Sequence, residues 1–433
     1  MLENRRLKTV TEDRKLRNMA KNTTPQDKCS FCGKLKSESL ILVSGIDANI
    51  CESCIEQADL ILAEEVNKNT TAKFKFSLSK NIKPKEIKAF LDDYVIDQHD
   101  AKRTIAVAVY NHYKRLNQRR AEDIEIEKSN ILLVGRTGTG KTLIAKSIAK
   151  FLNVPFTIVD ATVFTEAGYV GEDVESILSR LLQVCNYDVN AAEKGIIYID
   201  EIDKVARKAD NPSLTRDVSG EGVQQAMLKL LEGAEVLVAP QGGRKHPDQK
   251  MVKINTKNIL FICGGAFDGI ERNIGQRLNT SSVGFKSETD SRNELDVENL
   301  LQYITPDDLK TFGLIPELIG RIPAITHLNP LTKEALRRIL TEPKNAITKQ
   351  YQKLFEYENI AFKFSDEVLD FIAETAVEFK TGARGLRYVC EAICKDAMFD
   401  LPSEENITEF EVTLKYAKEK LTRDKVAKLA KVA

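Results

Sequence analysis

The sequence predicts an α/β protein: a parallel sheet covered by helices on both faces, followed by a mainly helical domain and preceded by a small metal-binding unit. Three observations predict this organisation. From Pro84 onwards, short and continuously apolar segments alternate with helical stretches, which is typical of a parallel sheet buried on both faces. A phosphate-loop motif follows the first apolar segment, and two Cys-x2-Cys pairs stand near the N-terminus.

Five segments are candidate strands because they are short, apolar and separated by helical stretches. They are Ile131–Val134, Phe156–Val159, Ile196–Ile199, Ile259–Cys263 and Ala324–His327. Beyond residue 329, apolar residues recur near helical spacing, with a kink expected at Pro343 and a helix capped by Ser365. We therefore assign residues 84–329 to the α/β domain and 330–433 to the helical domain.

Composition and charge exclude several classes of protein. The 433 residues include 64 basic and 64 acidic side chains, so the net charge is zero and does not suggest a dedicated nucleic-acid binder. Apolar runs such as Ile196–Ile199 are far shorter than the roughly 20 residues that a membrane span needs. The polar N-terminal segment lacks the apolar core of a secretory signal. We expect a cytoplasmic protein without a membrane partner.

The spacing of four cysteines predicts a structural zinc site. Cys29, Cys32, Cys51 and Cys54 form C-x2-C-x18-C-x2-C, and four thiolates close a tetrahedral shell that leaves no place for water. The alternatives are two disulfides or reduced thiols, and disulfides fit poorly with a chain that lacks an export signal. We expect a disordered extension over residues 1–28, the zinc unit over 29–66 and a linker over 67–83.

The phosphate-loop motif predicts a nucleoside triphosphate site. Gly135-Arg-Thr-Gly-Thr-Gly-Lys-Thr142 matches G-x4-G-K-[ST] between a candidate strand and the amphipathic run Leu143–Leu152. Backbone N–H groups and the helix N-terminus would hold phosphate oxygens. Lys141 would reach the β- and γ-phosphates, and the Thr142 hydroxyl would bind Mg²⁺. The expected nucleotide contacts in this segment are Arg136, Thr137, Gly138, Thr139, Gly140, Lys141, Thr142 and Leu143.

Two carboxylates follow the strand Ile196–Ile199. Asp200 and Glu201 would lie at the carboxyl edge of the sheet, where ligands bind in open α/β folds. Asp200 would position Mg²⁺, and Glu201 would polarise the attacking water as a general base. Such a pair alone could be a helix cap, but its combination with a phosphate loop favours catalysis.

Two arginines are candidates to stabilise the charge that develops on the γ-phosphate. Arg321 lies in Glu317-Leu-Ile-Gly-Arg-Ile-Pro323, and Arg384 lies in Thr381-Gly-Ala-Arg-Gly-Leu-Arg387. Arginine suits this role better than lysine. From spacing alone, either residue could equally form a surface salt bridge.

The order of the motifs resembles that of the ClpX family of AAA+ unfoldases. The resemblance covers roughly residues 25 to 420. It rests on the zinc and phosphate-loop motifs together with Tyr-Ile-Asp-Glu-Ile-Asp-Lys (198–204), Gly-Tyr-Val-Gly (168–171), the segment 215–225, Gly-Arg-Lys-His-Pro (243–247) and Gly-Ala-Arg-Gly-Leu-Arg (382–387).

The resemblance implies an ATP-dependent homohexamer that unfolds tagged proteins and threads them into the ClpP peptidase, with ATP, Mg²⁺ and Zn²⁺ as cofactors. It implies that Arg321 acts in the neighbouring subunit, that Arg384 acts within its own, and that Val95 and Ile96 pack on adenine. The zinc unit would dimerise and bind adaptors. The implied pore residues are Tyr169, Val170, Arg216, Arg244, Lys245 and His246, and the implied ClpP-docking residues are Val283, Gly284 and Phe285.

Three positions depart from the family pattern. Arg136 replaces the usual proline, Asp97 replaces a frequent glycine, and Val283 replaces isoleucine or leucine in the docking loop. Valine keeps the apolar character but is smaller, at about 0.8 kcal/mol per buried CH₂, so the sequence supports docking on ClpP less strongly than it supports ATP hydrolysis. The alternatives are an AAA+ nucleic-acid motor or loader, and a remodelling chaperone that works without peptidase.

Overall fold

The computed structural model describes residues 28–35, 41–44, 48–58, 82–118, 124, 126–165, 172–206, 220–239, 251–280, 297–379, 382–404 and 407–422. The chain divides into two compact units, Met1–Lys73 and Phe74–Ala433. The expected N-terminal extension and linker lie almost wholly outside the described residues. Among the described helices, none combines the length and apolar character that crossing a bilayer requires.

The first unit contains a two-stranded antiparallel sheet. Strand β1 spans Leu42–Ser44 and pairs with β2, Asn49–Cys51. Residues 52–58 are helical. Strand β2 therefore delivers Cys51 directly to the turn that carries Cys54.

The second unit is built on a five-stranded parallel sheet. Its strands are β3 (Ile131–Val134), β4 (Phe156–Asp160), β5 (Ile196–Asp200), β8 (Leu260–Gly265) and β9 (Ala324–His327), in the spatial order β4-β5-β8-β3-β9. All five candidate strands are confirmed. Successive residues of β3 enter opposite cores, with Leu132 and Val134 on one face and Ile131 and Leu133 on the other. Burial on both faces explains why these strands read as uninterrupted apolar runs.

Helices cover both faces of this sheet. They are α1 (Pro84–Asp92), α2 (His99–Leu116), α3 (Lys141–Leu152), α4 (Ser176–Val184), α5 (Val189–Ala192), α6 (Glu221–Glu232), α7 (Ile270–Thr280), α8 (Pro306–Phe312) and α9 (Pro316–Gly320). Three of them begin with proline, since Pro84, Pro306 and Pro316 occupy the first turns of α1, α8 and α9, where the missing N–H costs nothing.

The sequence missed one feature of this unit. Strands β6 (Glu235–Val238) and β7 (Val252–Asn255) form an antiparallel pair. The alternation of apolar and polar residues in Val252-Lys253-Ile254-Asn255 was a usable signal of a half-buried strand, whereas Val236-Leu237-Val238 of β6 shows no such alternation.

Strand β8 runs two residues further than the apolar run predicted, through Gly264 and Gly265. A Cβ at Gly264 would lie 2.1 Å from the Tyr198 hydroxyl oxygen. The neighbouring strand therefore allows only glycine at this position.

The C-terminal part of the second unit has its own core. It contains α10 (Lys333–Thr341), α11 (Ile347–Glu356), β10 (Ala361–Phe364), α12 (Asp366–Glu378), α13 (Ala383–Asp400), β11 (Glu409–Val412) and α14 (Leu414–Thr422). The mainly helical character is confirmed, although β10 and β11 pair in parallel. The expected kink at Pro343 is a complete break between α10 and α11. Ser365 does precede α12, but its hydroxyl makes no capping hydrogen bond.

Candidate functional site

The phosphate loop joins the carboxyl end of β3 to the N-terminus of α3. Gly138 and Gly140 take positive φ angles of 83° and 107°, which glycine adopts without steric cost. Helix α3 begins at Lys141, so the Lys141 and Thr142 side chains stand in its first turn. Backbone N–H groups at such a helix start are unsatisfied within the helix and bind phosphate oxygens.

Lys141 is buried inside the loop. Its ammonium donates to the carbonyl oxygens of Gly135 and Arg136. Desolvation lowers the pKa of Lys141, while the nearby carboxylates of Asp200 and Asp203 oppose that shift. The loop therefore holds a cation of reduced hydration at the place where a triphosphate would bind.

A hydroxyl and a carboxylate meet beside Lys141. The Thr142 hydroxyl donates to Asp200 Oδ2 at 3.2 Å. The other oxygen of Asp200 accepts hydrogen bonds from the Tyr198 hydroxyl and from the Glu201 backbone N–H, both at 3.1 Å. Hydroxyl and carboxylate oxygens are the ligands that Mg²⁺ prefers, so Thr142 and Asp200 fit that ion.

Glu201 leaves the strand in a left-handed conformation with φ 56°. The turn exposes its carboxylate to the same cavity that the phosphate loop lines. An exposed carboxylate beside the phosphates is suited to accept a proton from water.

Asp203 is an acid to which the sequence assigned no role. It is buried, and its Oδ1 accepts the Ala266 backbone N–H at 3.1 Å. Lys204 lies 3.3 Å from its other oxygen. Asp203 thereby ties the turn after β5 to the turn after β8, and both turns line the cavity.

The C-terminal helical part closes the other side of the cavity. The Ala383 N–H donates to the Gly138 carbonyl oxygen at 3.4 Å, so the start of α13 contacts the phosphate loop. A Cβ at Gly382 would lie 3.2 Å from the Thr137 carbonyl oxygen. Arg384 follows in the first turn of α13 and faces the cavity.

The resulting cavity has a volume of ≈ 820 Å³, within the usual range for small-molecule sites. Its lining includes nine predicted residues, namely Thr137, Gly138, Gly140, Lys141, Thr142, Leu143, Asp200, Glu201 and Arg384. The sequence missed the other lining residues, namely Asp203, Lys204, Ala266, Asp268, Ile347, Ala383, Arg387, Tyr388 and Glu391.

Several predicted contacts lie outside the cavity lining. Val95 and Ile96 are buried, and the Val95 Cγ1 lies 3.9 Å from where a Cβ on Gly140 would stand. Arg136 is exposed, with Glu271 at 3.9 Å, and the Thr139 hydroxyl donates to the Arg136 carbonyl. Arg136 and Thr139 therefore belong to the phosphate loop itself but not to the cavity lining.

Arg321 lies away from its own chain's cavity. It follows α9 and forms an ion pair of 2.9 Å with Glu232 at the end of α6. Its side chain is 53% exposed, so a neighbouring molecule could reach it.

The four cysteines of the first unit converge. Their sulfur atoms lie within 4.8 Å of one another, with Cys29 and Cys54 3.9 Å apart and Cys32 and Cys51 3.6 Å apart. These distances exclude disulfides, whose S–S bond is about 2.05 Å. They match the edges of a tetrahedron around one zinc ion with Zn–S bonds of about 2.3 Å.

Backbone donors favour the thiolate form of Cys29, whereas hydrogen bonding with Cys32, followed by burial, raises the pKa of Cys54. The Cys32 N–H, followed by the Phe31 and Cys51 N–H groups, lowers the pKa of Cys29 to about 6. The donor set and its geometry fit Zn²⁺, as the spacing predicted.

The predicted pore and docking residues lie outside the described residues. They are Gly168, Tyr169, Val170, Gly171, Arg216, Arg244, Lys245, His246, Val283, Gly284 and Phe285.

The fold and the site together define the class. A phosphate loop on a five-stranded parallel sheet, paired acids on the neighbouring strand and an arginine from a C-terminal helical part are the components of an AAA+ ATPase. Residues 126–325 match the family described as AAA domain (Cdc48 subfamily). Residues 331–415 match the C-terminal, D2-small domain of ClpB protein, and residues 27–64 match the ClpX C4-type zinc finger.

Comparison with curated proteins narrows the class to one family. The ATP-dependent Clp protease ATP-binding subunit ClpX of Bacteroides fragilis is 60% identical over 414 residues, which are 95% of this chain and 99% of that protein. The subunit of the same name from Bacteroides thetaiotaomicron is 60% identical over 405 residues, 93% of this chain and 97% of that protein. That of Porphyromonas gingivalis is 59% identical over 390 residues, 88% and 93% of the two chains. The chain belongs to the ClpX family, and its cofactors are ATP, Mg²⁺ and Zn²⁺.

Proposed function

We propose that this protein is an ATP-driven unfoldase and translocase that delivers substrate proteins to the ClpP peptidase. The observation that carries the proposal is the contact of α13 with the phosphate loop through Ala383 and Gly138. Arg384 is the next residue of α13 and faces the nucleotide cavity. A change at the γ-phosphate can therefore alter the angle between the α/β part and the C-terminal part. The names of the relatives, which join an ATP-binding subunit to a protease, support the same function.

Each site residue has a role in hydrolysis. Lys141 binds the β- and γ-phosphates, and Thr142 and Asp200 hold Mg²⁺, which neutralises charge on the phosphate oxygens when bound. Glu201 orients the attacking water and accepts its proton. Arg384 stabilises the charge that develops on the γ-phosphate, and Val95 and Ile96 pack on the base.

We further propose that six copies form a ring in which Arg321 reaches the cavity of the neighbouring subunit. The exposed position of Arg321, away from its own cavity, supports this role. A cation supplied in trans makes hydrolysis depend on assembly.

The remaining proposals concern segments outside the described residues and the zinc unit. Tyr169 and Val170 grip the substrate polypeptide, with Arg216, Arg244, Lys245 and His246 at the pore. Val283, Gly284 and Phe285 dock on ClpP, which supplies the peptidase activity. The zinc unit, residues 29–66, forms dimers and receives adaptors. The two AAA+ domains are residues 84–329 and 330–433, and the protein acts in the cytoplasm.

The direct test measures ATP hydrolysis and assembly together. We expect purified protein to hydrolyse ATP, to form hexamers with ATP, and to hydrolyse faster with unfolded protein but not with DNA. The variant Lys141→Ala should lose ATP hydrolysis. Its matched control is Lys150→Ala, because Lys150 lies at the opposite end of α3. Stimulation by DNA and not by unfolded protein would instead indicate a nucleic-acid motor.

A further inference from the structure

A short segment between α1 and α2 connects the nucleotide site with the C-terminal helical part. We call it the junction segment, residues 93–98. Its centre, Val95 and Ile96, is buried, and Val95 lies beside Gly140 of the phosphate loop. From within the α/β part, the buried ammonium of Lys102 donates to the Val95 carbonyl and to Asp92 Oδ1. The inner side of the junction segment is therefore fixed to the ATPase core.

The outer side of the same segment is bonded to α10 and to the turn after it. Asp97 Oδ1 lies 2.6 Å from Arg338 Nη1. Asp93 Oδ2 lies 2.7 Å from Lys344 Nζ, and the Lys344 backbone N–H donates to the Asp93 carbonyl at 2.8 Å. Both ends of the segment thus contact the C-terminal part.

A third contact fixes the chain where the two parts join. The buried Gln98 side chain donates to the Asn329 carbonyl at 2.9 Å and accepts the Asn329 N–H at 2.8 Å. These two hydrogen bonds hold the backbone of Asn329, directly before Pro330, where the C-terminal part begins. The point about which the C-terminal part can rotate is therefore fixed at Asn329. An ion pair at a distance from this point, such as Asp97–Arg338, can then set the angle between the α/β part and the C-terminal part.

The backbone conformation at Asp97 serves this geometry. Asp97 and Gln98 both have positive φ angles, 53° and 57°, which are uncommon outside glycine, asparagine and aspartate. The left-handed turn directs the Asp97 carboxylate towards Arg338 and the Gln98 amide towards Asn329. Glu342, at the C-terminal cap of α10, holds Arg338 in place through an ion pair of 3.0 Å.

We propose that Asp97 and Arg338 are positioning residues, whose ion pair holds the C-terminal part at the angle in which the nucleotide cavity is closed. This inference rests on the proposed function, because it assumes that ATP occupies the cavity. Rotation of the C-terminal part away from the core separates the pair and withdraws Arg384 and Ile347 from the nucleotide. Nucleotide affinity therefore depends on a contact that does not touch the nucleotide.

The test is a double-mutant cycle in the full-length protein, read by the Kd for N-methylanthraniloyl-ADP and by kcat and KM for ATP. Asp97→Asn keeps the left-handed preference and removes the charge, and Arg338→Gln removes the partner. Since half-exposed ion pairs contribute little each, we expect each change to raise Kd and KM about two- to five-fold with kcat nearly unchanged. The double variant should be no weaker than either single variant, because both remove one interaction.

The matched control is Arg337→Gln. Arg337 precedes Arg338 on α10 and is similarly exposed, but its ion pair of 3.0 Å with Asp366 lies within the C-terminal part. Its Kd should equal that of the unsubstituted protein. Unchanged Kd values in both single variants, or effects that add in the double variant, would overturn the proposal. Undiminished nucleotide binding by Lys141→Ala would instead reject the ATP site itself, so the two failures are distinguishable.

Discussion

The Thr142 hydroxyl lies 3.2 Å from Asp200 Oδ2, which joins the first turn of α3 to the last residue of β5. The two residues are far apart in sequence, and parallel pairing of strands brings them to one edge of the sheet. Because Tyr198 and the Glu201 N–H hold the other carboxylate oxygen, the site is ordered by the protein itself.

Replacing Glu201 with glutamine should separate binding from hydrolysis. The amide cannot accept the proton of the attacking water, so we expect turnover to fall by about 10²- to 10⁴-fold. Nucleotide affinity should persist, because Lys141 and the phosphate loop are unchanged. Steady-state ATPase rates and binding of a fluorescent nucleotide measure the two effects. Glu235→Gln, at an exposed position of strand β6, is the control, and hydrolysis at the original rate by Glu201→Gln would refute the assignment.

Replacing Asp203 should loosen the turn after β8. In Asp203→Ala the Ala266 N–H loses its acceptor, a loss that costs about 1–3 kcal/mol for a buried group, and we expect kcat to fall roughly ten-fold. Asp203→Asn keeps an acceptor oxygen and should retain most of the activity. Comparing kcat for the two variants checks the role, and equal losses would show that charge, rather than the hydrogen bond, matters.

His112 should make the second unit less stable in acid. Burial, with smaller effects from Arg115 and Lys128, lowers the pKa of His112 to about 3. The contact of its Nε2 with the Asn258 carbonyl opposes this shift only weakly. The unfolded chain, with an ordinary pKa near 6.5, then binds the proton more readily. The stability contribution is complete above about pH 6.5 and is lost as the pH falls towards 3.

Between about pH 7.5 and about pH 5.5, we expect this loss to be roughly 1.4 kcal/mol. His112→Gln should lack it, although its stability at neutral pH can differ. Urea unfolding of both proteins at the two pH values gives the difference. An identical acid-induced loss in both proteins would contradict the prediction.

Removal of one zinc ligand should affect the first unit alone. Cys54→Ser leaves three thiolates, so we expect zinc content to fall well below one ion per chain and amide exchange over residues 48–58 to accelerate. ATP hydrolysis by the second unit should persist. Cys185→Ala, a buried cysteine outside the cluster, should retain its zinc. Full zinc content in Cys54→Ser would exclude the four-cysteine site.

Tyr169→Ala should separate hydrolysis from mechanical work. An aromatic side chain grips polypeptides of any sequence because its contacts need no specific hydrogen bonds. We expect ATP hydrolysis to continue while unfolding of a tagged folded protein slows at least about ten-fold, whereas Tyr169→Phe should unfold it normally. Normal unfolding by Tyr169→Ala would remove the proposed pore contact.

The sequence predicted local features better than contacts between distant elements. The strands around Ile131 and Ile196 were predictable because burial on both faces leaves continuous apolar runs, and the cysteine spacing fixed the metal site. Ile347, Arg387, Tyr388 and Glu391 were missed. They lie on helices of the C-terminal part, and they reach the cavity because of the way in which that part packs on the α/β part. The spacing of apolar residues along a helix does not reveal this packing.

Asp203 and Asp97 illustrate the same limit. Asp203 follows a predicted acid pair, but its partner is a backbone N–H beyond a different strand. Asp97 departs from the family pattern, and only its contact with Arg338 gives it a role. Both depend on pairings between segments far apart in the chain.

The most direct test of ATP-driven unfolding follows the fluorescence of a folded, tagged reporter in the presence of ATP, with and without ClpP. A natural domain resists unfolding by about 5–15 kcal/mol, so loss of signal requires coupled hydrolysis. We predict degradation with ATP and ClpP, and none with ADP or with Glu201→Gln. Persistence of the folded reporter while ATP is hydrolysed by the unsubstituted protein would contradict the central claim.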